Sequence, residues 1–287
     1  MEDDEASVAR LGIIGNPLGH SASPHMYNRL FSEARVEAVY ELYQIEEYMV
    51  EKFTRWARIN MKGFNVTIPY KKLIMKYMDE LDELAASIGA VNTVKNNDGM
   101  LIGYNTDIVG FTRTLSRAGG LREYDNVLIV GAGGAARSAA YSLIGLTRKV
   151  VLASRSGVTA EELARELRAR GLEAVGIIND DKRLSAYAPF DLIINASPVG
   201  MKPRCMESPV SADLVRDAEL VIDLVYNPLK TRLASIAEDW GVRFIDGLWM
   251  LVYQGVENLR LWLGLDVDPS DLRSYALEVI VGDYREC

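Results

Sequence analysis

The sequence has few of the residues on which disulfide frameworks and metal sites depend. Its 287 residues include only two cysteines, Cys205 and Cys287, and two histidines, His20 and His25. Two cysteines are too few for a disulfide framework and form no Cys-x-x-Cys spacing, so we expect a reducing compartment, the cytoplasm. The two histidines lack a third ligand at suitable spacing, so we expect no metal site.

The chain also lacks an excess of basic residues and any long apolar segment. Its 32 Lys and Arg against 40 Asp and Glu give a net charge of -8, which disfavours nucleic acid and anionic membranes as partners. No run approaches the roughly 18 apolar residues of a membrane-spanning helix, and the acidic N-terminus is unlike a secretory signal. The acidic charge therefore favours small-molecule chemistry, and because a Gly-x-Ser-x-Gly motif is missing we expect no serine nucleophile.

Short strands and amphipathic helices alternate along the first part of the chain. The pattern predicts strands at residues 8–14, 38–43 and 63–67, and helices from Pro24, over 46–59 and from Pro69. Residues 91–95 and 100–104 flank Asn96-Asn97-Asp98-Gly99, which is typical of a tight hairpin turn. The sequence therefore predicts a mixed α/β domain over residues 1–115.

A second series of strands is predicted at residues 126–130, 150–153, 192–194 and 220–223. Their alternation with helical segments predicts a doubly wound, Rossmann-like domain over residues 116–246. Two helical stretches follow over residues 247–287. Gln254 shares an apolar helical stripe with Met250 and Leu251, so this polar side chain needs a partner.

A glycine-rich turn follows the first strand of the second series. It matches the dinucleotide-binding pattern between a strand and a helix, with the residues Gly131-Ala132-Gly133-Gly134-Ala135-Ala136. Such a turn lets the N–H groups of a helix start bind a pyrophosphate. The next strand ends in Ser154-Arg155-Ser156, and no acidic residue precedes Glu161. These donors suit the 2′-phosphate of NADP better than the ribose hydroxyl of NAD, although a solvated arginine is the alternative.

Lys71 and Asp107 are both predicted at helix starts. A cation there opposes the helix dipole, which would ease proton release from Lys71, whereas the dipole favours an ionised Asp107. Each residue also fits a plain surface or capping role. Ser21 and Ser23 could bind a carboxylate, but local rules favour helix capping for Ser23. Alone, none of these residues identifies an enzyme.

Taken together, these segments resemble the shikimate dehydrogenase family over about residues 10–265 of the chain. The matching blocks are Gly15-Asn16-Pro17 with His20 through Pro24, Asn65 through Lys71, Gly89 through Thr93, Gly103 through Asp107, Gly131 through Ala136, Asn195 through Met201, Asp223 through Pro228, and Asp246 through Gly255. The resemblance implies a substrate domain, a Rossmann-like NADP domain, and C-terminal helices that return to the first domain.

The same resemblance implies the activity and the roles of individual residues. The implied reaction is the NADPH-dependent reduction of 3-dehydroshikimate to shikimate in aromatic amino-acid biosynthesis, with Lys71 and Asp107 as the catalytic pair. The substrate carboxylate is assigned to Ser21 and Ser23, and the rest of the substrate pocket to Thr67, Asn92, Tyr226 and Gln254. The implied cofactor contacts are Gly131, Ala132, Gly133, Gly134, Ala135, Ser154, Arg155, Ser156, Ser197, Val199, Met201, Leu224 and Gly247.

The chain departs from the family pattern at two places. Tyr27 stands where the family often has histidine, and no second basic residue follows Arg155, which would weaken the preference for NADP.

Two alternative functions remain open. The nearest is a quinate or dual quinate/shikimate dehydrogenase that tolerates NAD. The other is a non-catalytic dinucleotide-binding regulator, against which the retention of Lys71 and Asp107 argues. The sequence leaves open whether the protein forms a homodimer.

Overall fold

The computed structural model describes residues 8–19, 21–119 and 122–287, which fold into two compact units. Unit 1 comprises the chain up to Thr106 together with Gln254–Val279, and unit 2 comprises Asp107–Tyr253 with Ile280–Cys287. Each unit contains a six-stranded sheet with connecting helices. The predicted α/β fold class is confirmed. The domain bounds of 1–115, 116–246 and 247–287 stay a prediction.

Unit 1 has a mixed sheet. Its strands are β1 (Ala9–Gly15), β2 (Ala38–Gln44), β3 (Gly63–Val66), β4 (Glu80–Leu81), β5 (Thr93–Asn97) and β6 (Met100–Tyr104), and its first helices are α1 (Ser23–Ala34), α2 (Val50–Asn60) and α3 (Glu83–Ile88). The strand order is β2-β1-β3-β5-β6-β4. Strands β1, β2 and β3 are parallel, whereas β5 runs antiparallel to both β3 and β6. The predicted hairpin is present, because Asn97 pairs with Met100 across a turn in which Asp98 and Gly99 have positive φ.

The helix predicted from Pro69 is wrong. Residues 68–72 form turns, and only a short 3-10 segment, Leu73–Tyr77, follows them. The reason is a long-range bond, because the Lys71 carbonyl accepts the backbone N–H of Val91 at 2.8 Å. That carbonyl is therefore committed to the chain segment before β5 rather than to an α-helical ladder. Lys71 therefore lies in a turn, and its predicted place at a helix start is wrong.

Unit 2 has a fully parallel sheet. Helix α4 (Thr106–Arg117) leads into it, and its elements are β7 (Tyr124–Val130), α5 (Gly134–Ser142), β8 (Thr147–Ser154), α6 (Val158–Arg168), β9 (Glu173–Ile178), α7 (Asp181–Ser185), β10 (Leu192–Asn195), α8 (Ala212–Val215), β11 (Leu220–Asp223), α9 (Arg232–Asp239) and β12 (Arg243–Asp246). The order β12-β11-β10-β7-β8-β9 reverses between β7 and β10. In doubly wound sheets, ligands bind outside the carboxyl ends of the strands at this reversal.

Two inner strands of unit 2, β10 and β11, are buried on both faces. All residues of β10 and β11 are buried, and the strands contribute to an apolar core with Leu128, Phe190 and Leu233. This explains why their sequences read as short continuous apolar runs rather than as alternating patterns. Polar residues appear in β10 and β11 only at the carboxyl ends, as Asn195 and Asp223.

Two helices complete the chain, α10 (Leu248–Leu263) and α11 (Pro269–Leu277). The C-terminal segment of unit 2 then pairs with the loop after β11, where Leu229 N–H donates to the Val281 carbonyl at 2.9 Å. This pairing precedes a disulfide between Cys205 and Cys287, 82 positions apart. Two cysteines are too few for a disulfide framework, but this single disulfide was not predicted from the sequence. In the part of the chain that the structure describes, no helix has the length and apolar composition needed to cross a membrane.

Candidate active site

Ser21 and Ser23 lie at the start of α1, after β1. The helix begins at Ser23, its N-cap position is Ala22, and no side chain caps it. The Ser21 hydroxyl oxygen accepts the backbone N–H of Ser23 at 3.4 Å. The capping role that local rules favoured for Ser23 is therefore wrong, because its hydroxyl follows the cap position. The structure thus places two adjacent hydroxyls at a helix start, while His20 lies outside the described residues.

Thr67, Lys71 and Asn92 come together at one end of the unit 1 sheet. Thr67 directly follows β3, and its N–H donates to the Ile14 carbonyl of β1 at 2.9 Å. Val66 N–H donates to the Asn92 carbonyl at 2.8 Å, and the Val91–Lys71 bond fixes the lysine backbone beside the same segment. Because these bonds cross between distant segments, they bring together residues that are separated in sequence.

A buried cluster of amides and hydroxyls connects Asn92 to Gln254. The backbone N–H of Thr106 donates to Asn92 Oδ1 at 2.7 Å, and the Thr106 hydroxyl donates to Asn258 Oδ1 at 2.8 Å. Asn258 Nδ2 then donates to Gln254 Oε1 at 3.0 Å. The expected partner of Gln254 is therefore Asn258, one helical turn along α10. Asn258 was not predicted as a site residue, because its only signal in the sequence is a polar residue four positions after Gln254.

Tyr27 joins the same cluster. Its hydroxyl accepts from Asn258 Nδ2 at 3.0 Å. Burial raises the pKa of the Tyr27 hydroxyl, and hydrogen bonds with Asn258 and Gln254 partly oppose the rise. The departure from histidine at this position therefore places a neutral phenol against the amides of α10.

In unit 2, the glycine-rich turn has the geometry that the motif predicts. Gly131 has a φ of 119°, and an added Cβ there would lie 2.5 Å from the Ala196 carbonyl oxygen, so only glycine fits. Gly133 caps α5, and an added Cβ at Gly133 meets nothing within 4 Å. The early N–H groups of α5, which include those of Gly134 and Ala135, thus face an accessible turn that also contains Ala132.

The Ser154-Arg155-Ser156 segment joins the end of β8 to α6. Arg155 and Ser156 are exposed, and the Ser154 hydroxyl accepts from Thr159 Oγ1 at 3.1 Å. Glu161, the first acid after this segment, is paired with Arg168. The segment therefore presents a cation and hydroxyls without an adjacent free carboxylate.

A hydrogen-bond network orders the loops after β10 and β11. Asn195 Nδ2 donates to Asp223 Oδ1 and to the Val199 carbonyl, both at 2.9 Å. Asn195 Oδ1 accepts the Ser197 hydroxyl at 2.7 Å, and Ser197 Oγ accepts Val199 N–H at 3.2 Å. Burial raises the pKa of Asp223 to about 7, against hydrogen bonds from Thr231, Val225 N–H and Asn195 that lower it. No role was predicted from the sequence for Asn195 or Asp223.

The remaining cofactor positions lie at the same edge of the unit 2 sheet. Leu224 N–H donates to the Asn195 carbonyl at 2.8 Å, and an added Cβ at Gly247 would lie 2.4 Å from the Leu224 carbonyl carbon. Met201 and Tyr226 are partly exposed in the loops after β10 and β11. Asp107 is 8 % exposed in the first turn of α4, as predicted.

Comparison with known proteins decides the family. A model described as the shikimate dehydrogenase substrate binding domain matches residues 13–94, and one described as the shikimate 5′-dehydrogenase C-terminal domain matches residues 247–273. The shikimate dehydrogenase (NADP⁺) of Pyrococcus furiosus is 41% identical over 270 residues, which cover 93% of this chain and 94% of the relative. The chain belongs to the shikimate dehydrogenase family. The family and the oxidoreductase class predicted from the sequence are confirmed.

Solved structures of this shikimate dehydrogenase family and of a quinate dehydrogenase have the same fold. A shikimate dehydrogenase in complex with NADP⁺ is 36% identical, with a TM-score of 0.86 and coverage of 95% of this chain and 96% of that one. The quinate dehydrogenase of Corynebacterium glutamicum in complex with NAD is 30% identical, with a TM-score of 0.85 and coverage of 95% and 99%. Solved structures with this fold therefore include both a shikimate dehydrogenase and a quinate dehydrogenase.

Proposed function

We propose that this member of the family catalyses the reversible, NADPH-dependent reduction of 3-dehydroshikimate to shikimate, a step of aromatic amino-acid biosynthesis. The observation that carries the proposal is the buried amide and hydroxyl cluster around Asn92, a residue that lies within the match to the substrate binding domain over residues 13–94. A cluster of hydrogen-bond donors and acceptors at a sheet end suits a small, polyhydroxylated acid. The name of the Pyrococcus furiosus relative agrees with this assignment.

The proposal assigns substrate binding and protonation to residues named in the sequence analysis. Ser21 and Ser23 donate hydrogen bonds to the carboxylate, and Thr67, Asn92 and Gln254 bind ring hydroxyls. Tyr226 is assigned a further role in substrate binding. Lys71 donates a proton to the oxygen that becomes the alkoxide as the carbonyl is reduced, and Asp107 is the acidic member of the proposed catalytic pair. Proton donation at this atom is needed because an unprotonated alkoxide is a poor product at neutral pH.

The residues of unit 2 fit a phosphorylated dinucleotide. The open space at Gly133 and the start of α5 suit a pyrophosphate, and Arg155 with Ser154 and Ser156 suits a 2′-phosphate. The network from Asp223 through Asn195 holds the Ser197–Val199 loop against the carboxyl end of the sheet, beside Leu224 and Gly247. NADPH, when bound, supplies the hydride. The predicted cofactor agrees with the names of the relatives.

Quinate is the second candidate substrate, because the quinate dehydrogenase of Corynebacterium glutamicum shares this fold at 30% identity. The test is a matrix of steady-state assays in which shikimate and quinate are each oxidised with NADP⁺ and with NAD⁺. We expect the highest kcat/KM for shikimate with NADP⁺. A higher kcat/KM for quinate would overturn the substrate assignment, and no turnover in any combination would favour the regulator. The cytoplasmic location and a homodimer stay open predictions.

A further inference from the structure

The loop after β10 carries Met201, which the proposed function assigns to the cofactor. We call residues 200–207 the Met201 loop. In the part of the chain that the structure describes, the hydrogen bonds and ion pairs of this loop all end within residues 198–207, as does the ion pair between Arg204 and Glu207. These bonds shape the loop, but they do not attach it to other segments of unit 2.

A covalent bond attaches the Met201 loop to a distant segment. Cys205 of the loop forms a disulfide with Cys287. Cys205 is buried, whereas Cys287 is exposed. Among the described hydrogen bonds, ion pairs and covalent cross-links of the loop, the disulfide is therefore the one that reaches a distant part of the chain.

The segment at the other end of the disulfide is itself fixed to unit 2. We call residues 280–287 the tail. Leu229 N–H donates to the Val281 carbonyl, and Tyr284 N–H donates to the Lys230 carbonyl, both at 2.9 Å. Tyr284 is also buried. Because these contacts involve neither cysteine, the tail keeps its place when the disulfide opens, and the Met201 loop is the part that is released.

The start of the Met201 loop lies beside the glycine-rich turn. An added Cβ at Gly131 would lie 2.5 Å from the Ala196 carbonyl oxygen, so the two segments are in close contact. The Asn195 amide holds the chain there, because its Nδ2 donates to the Val199 carbonyl at 2.9 Å. This support ends where the Met201 loop begins. The loop is therefore held by the network of β10 on one side and by the disulfide on the other.

We propose that the disulfide between Cys205 and Cys287 is a redox switch of the cofactor site: when it is reduced, the Met201 loop loses its fixed position and NADPH binds less tightly. The inference rests on the proposed function, in which Met201 contacts the cofactor. A loop that is already ordered costs less free energy to bind than a loop that must be ordered during binding. Ordering the backbone of about one residue corresponds to a change in Kd of roughly tenfold.

The reductant is a dithiol, which supplies two electrons and two protons. One thiolate of the dithiol attacks the Cys287 sulfur, since Cys287 is the exposed partner, and Cys205 leaves as a thiolate that takes up a proton. The second thiol of the dithiol then attacks the mixed disulfide and releases Cys287. The products are two protein thiols and the dithiol oxidised to its own disulfide. A disulfide oxidant reverses the same steps.

The test compares the Kd for NADPH in the untreated protein and after reduction with dithiothreitol, measured from the fluorescence of the bound nicotinamide. A thiol titration follows the state of the bond, because the chain has only two cysteines and both are in the disulfide. We expect the Kd to rise about tenfold on reduction and to return after reoxidation. The titrations are made well below the melting temperature of the reduced protein, so that unfolding does not contribute.

Two variants provide the controls. Cys287→Ser opens the bond without a reductant, so it should have the raised Kd and should not respond to dithiothreitol. Met201→Ala removes the cofactor contact that the loop positions, so reduction in this background should change the Kd for NADPH much less. If Cys287→Ser fails to fold, reduction of the unmodified and Met201→Ala proteins decides.

Three results would overturn the inference. The first is two free thiols in protein purified without a reductant, which would mean that the bond does not form. The second is an equal Kd for NADPH before and after reduction. The third is an equal rise in the unmodified and Met201→Ala proteins, which would mean that the Met201 loop does not carry the effect. Failure of the proposed function is a separate result, because it would appear as absence of NADPH binding and of shikimate turnover in the untreated protein.

Discussion

Replacing Arg155 by alanine should remove most of the preference for NADP⁺ over NAD⁺. Arg155 is exposed at the end of β8, and the first acid beyond it, Glu161, is held by Arg168. The guanidinium is therefore the one cationic group of the Ser154–Ser156 segment. A hydrogen bond to a charged group contributes roughly 1.5–3 kcal/mol, and exposure to solvent favours the lower end. This corresponds to a discrimination of about ten- to a hundredfold.

The assay is steady-state oxidation of shikimate at saturating substrate, with NADP⁺ and NAD⁺ varied in parallel. Arg155→Ala should raise KM for NADP⁺ by about ten- to a hundredfold and leave the NAD⁺ kinetics nearly unchanged, because NAD⁺ has no 2′-phosphate. Arg165→Ala is the matched control, since Arg165 is an exposed arginine about 10 Å along α6 from the first residue of that helix, where salt screens its charge. It should change neither value.

Two results would refute this reasoning. Equal kcat/KM for both cofactors in the unmodified enzyme would show that Arg155 gives no preference. Equal losses with both cofactors in Arg155→Ala would show that the residue acts through the fold of the β8–α6 connection.

Three further predictions concern the carboxylate site, the disulfide and a buried acid. Replacing Ser21 and Ser23 together by alanine should raise KM for shikimate more than it lowers kcat, because the carboxylate is bound in ground and transition states alike; an unchanged KM would remove the serines from the site. Cys287→Ser opens a disulfide that joins positions 82 apart, and should lower the unfolding free energy in urea by up to about 4 kcal/mol, whereas an equal midpoint would show that the bond adds no stability. Because the pKa of Asp223 in the folded protein is raised to about 7, its contribution to stability is full below pH 4 and lost as the pH rises through about 7. The unfolding free energy should fall by up to about 4 kcal/mol over this pH range in urea titrations of the unmodified protein. Asp223→Asn should flatten that fall, and a pH profile parallel to wild type would contradict the assignment.

The sequence predicts the features that short segments determine. The glycine-rich turn at Gly131, the hairpin before β6 and the cation at Arg155 each depend on neighbours within a few residues. Backbone conformation and local hydrogen bonds set such features, so their residue types carry the signal. The family resemblance extends this to roles that no local pattern identifies.

The predictions that are wrong, or that could not be made, concern features that depend on residues distant in the sequence. The residues from Pro69 fit a helix locally, but the Val91 N–H donates a hydrogen bond to the Lys71 carbonyl, which is then not available for an α-helical bond. Ser23 has a good capping side chain, yet the helix begins one residue too early for it to cap. Asn258 joins the buried cluster only because β5, α4 and α10 bring Thr93, Thr106 and Gln254 into contact with it. No local pattern encodes that assembly.

The measurement that tests the central claim most directly is the kcat for shikimate oxidation with NADP⁺ in the unmodified enzyme, in Lys71→Ala and in Lys72→Ala. Lys72 is the next residue in the chain and is exposed, so it controls for the loss of a charge. We expect the unmodified enzyme and Lys72→Ala to turn over shikimate at similar rates, and Lys71→Ala to lose roughly 10²-fold or more in kcat with a smaller change in KM. A Lys71→Ala enzyme with near wild-type kcat would contradict the account.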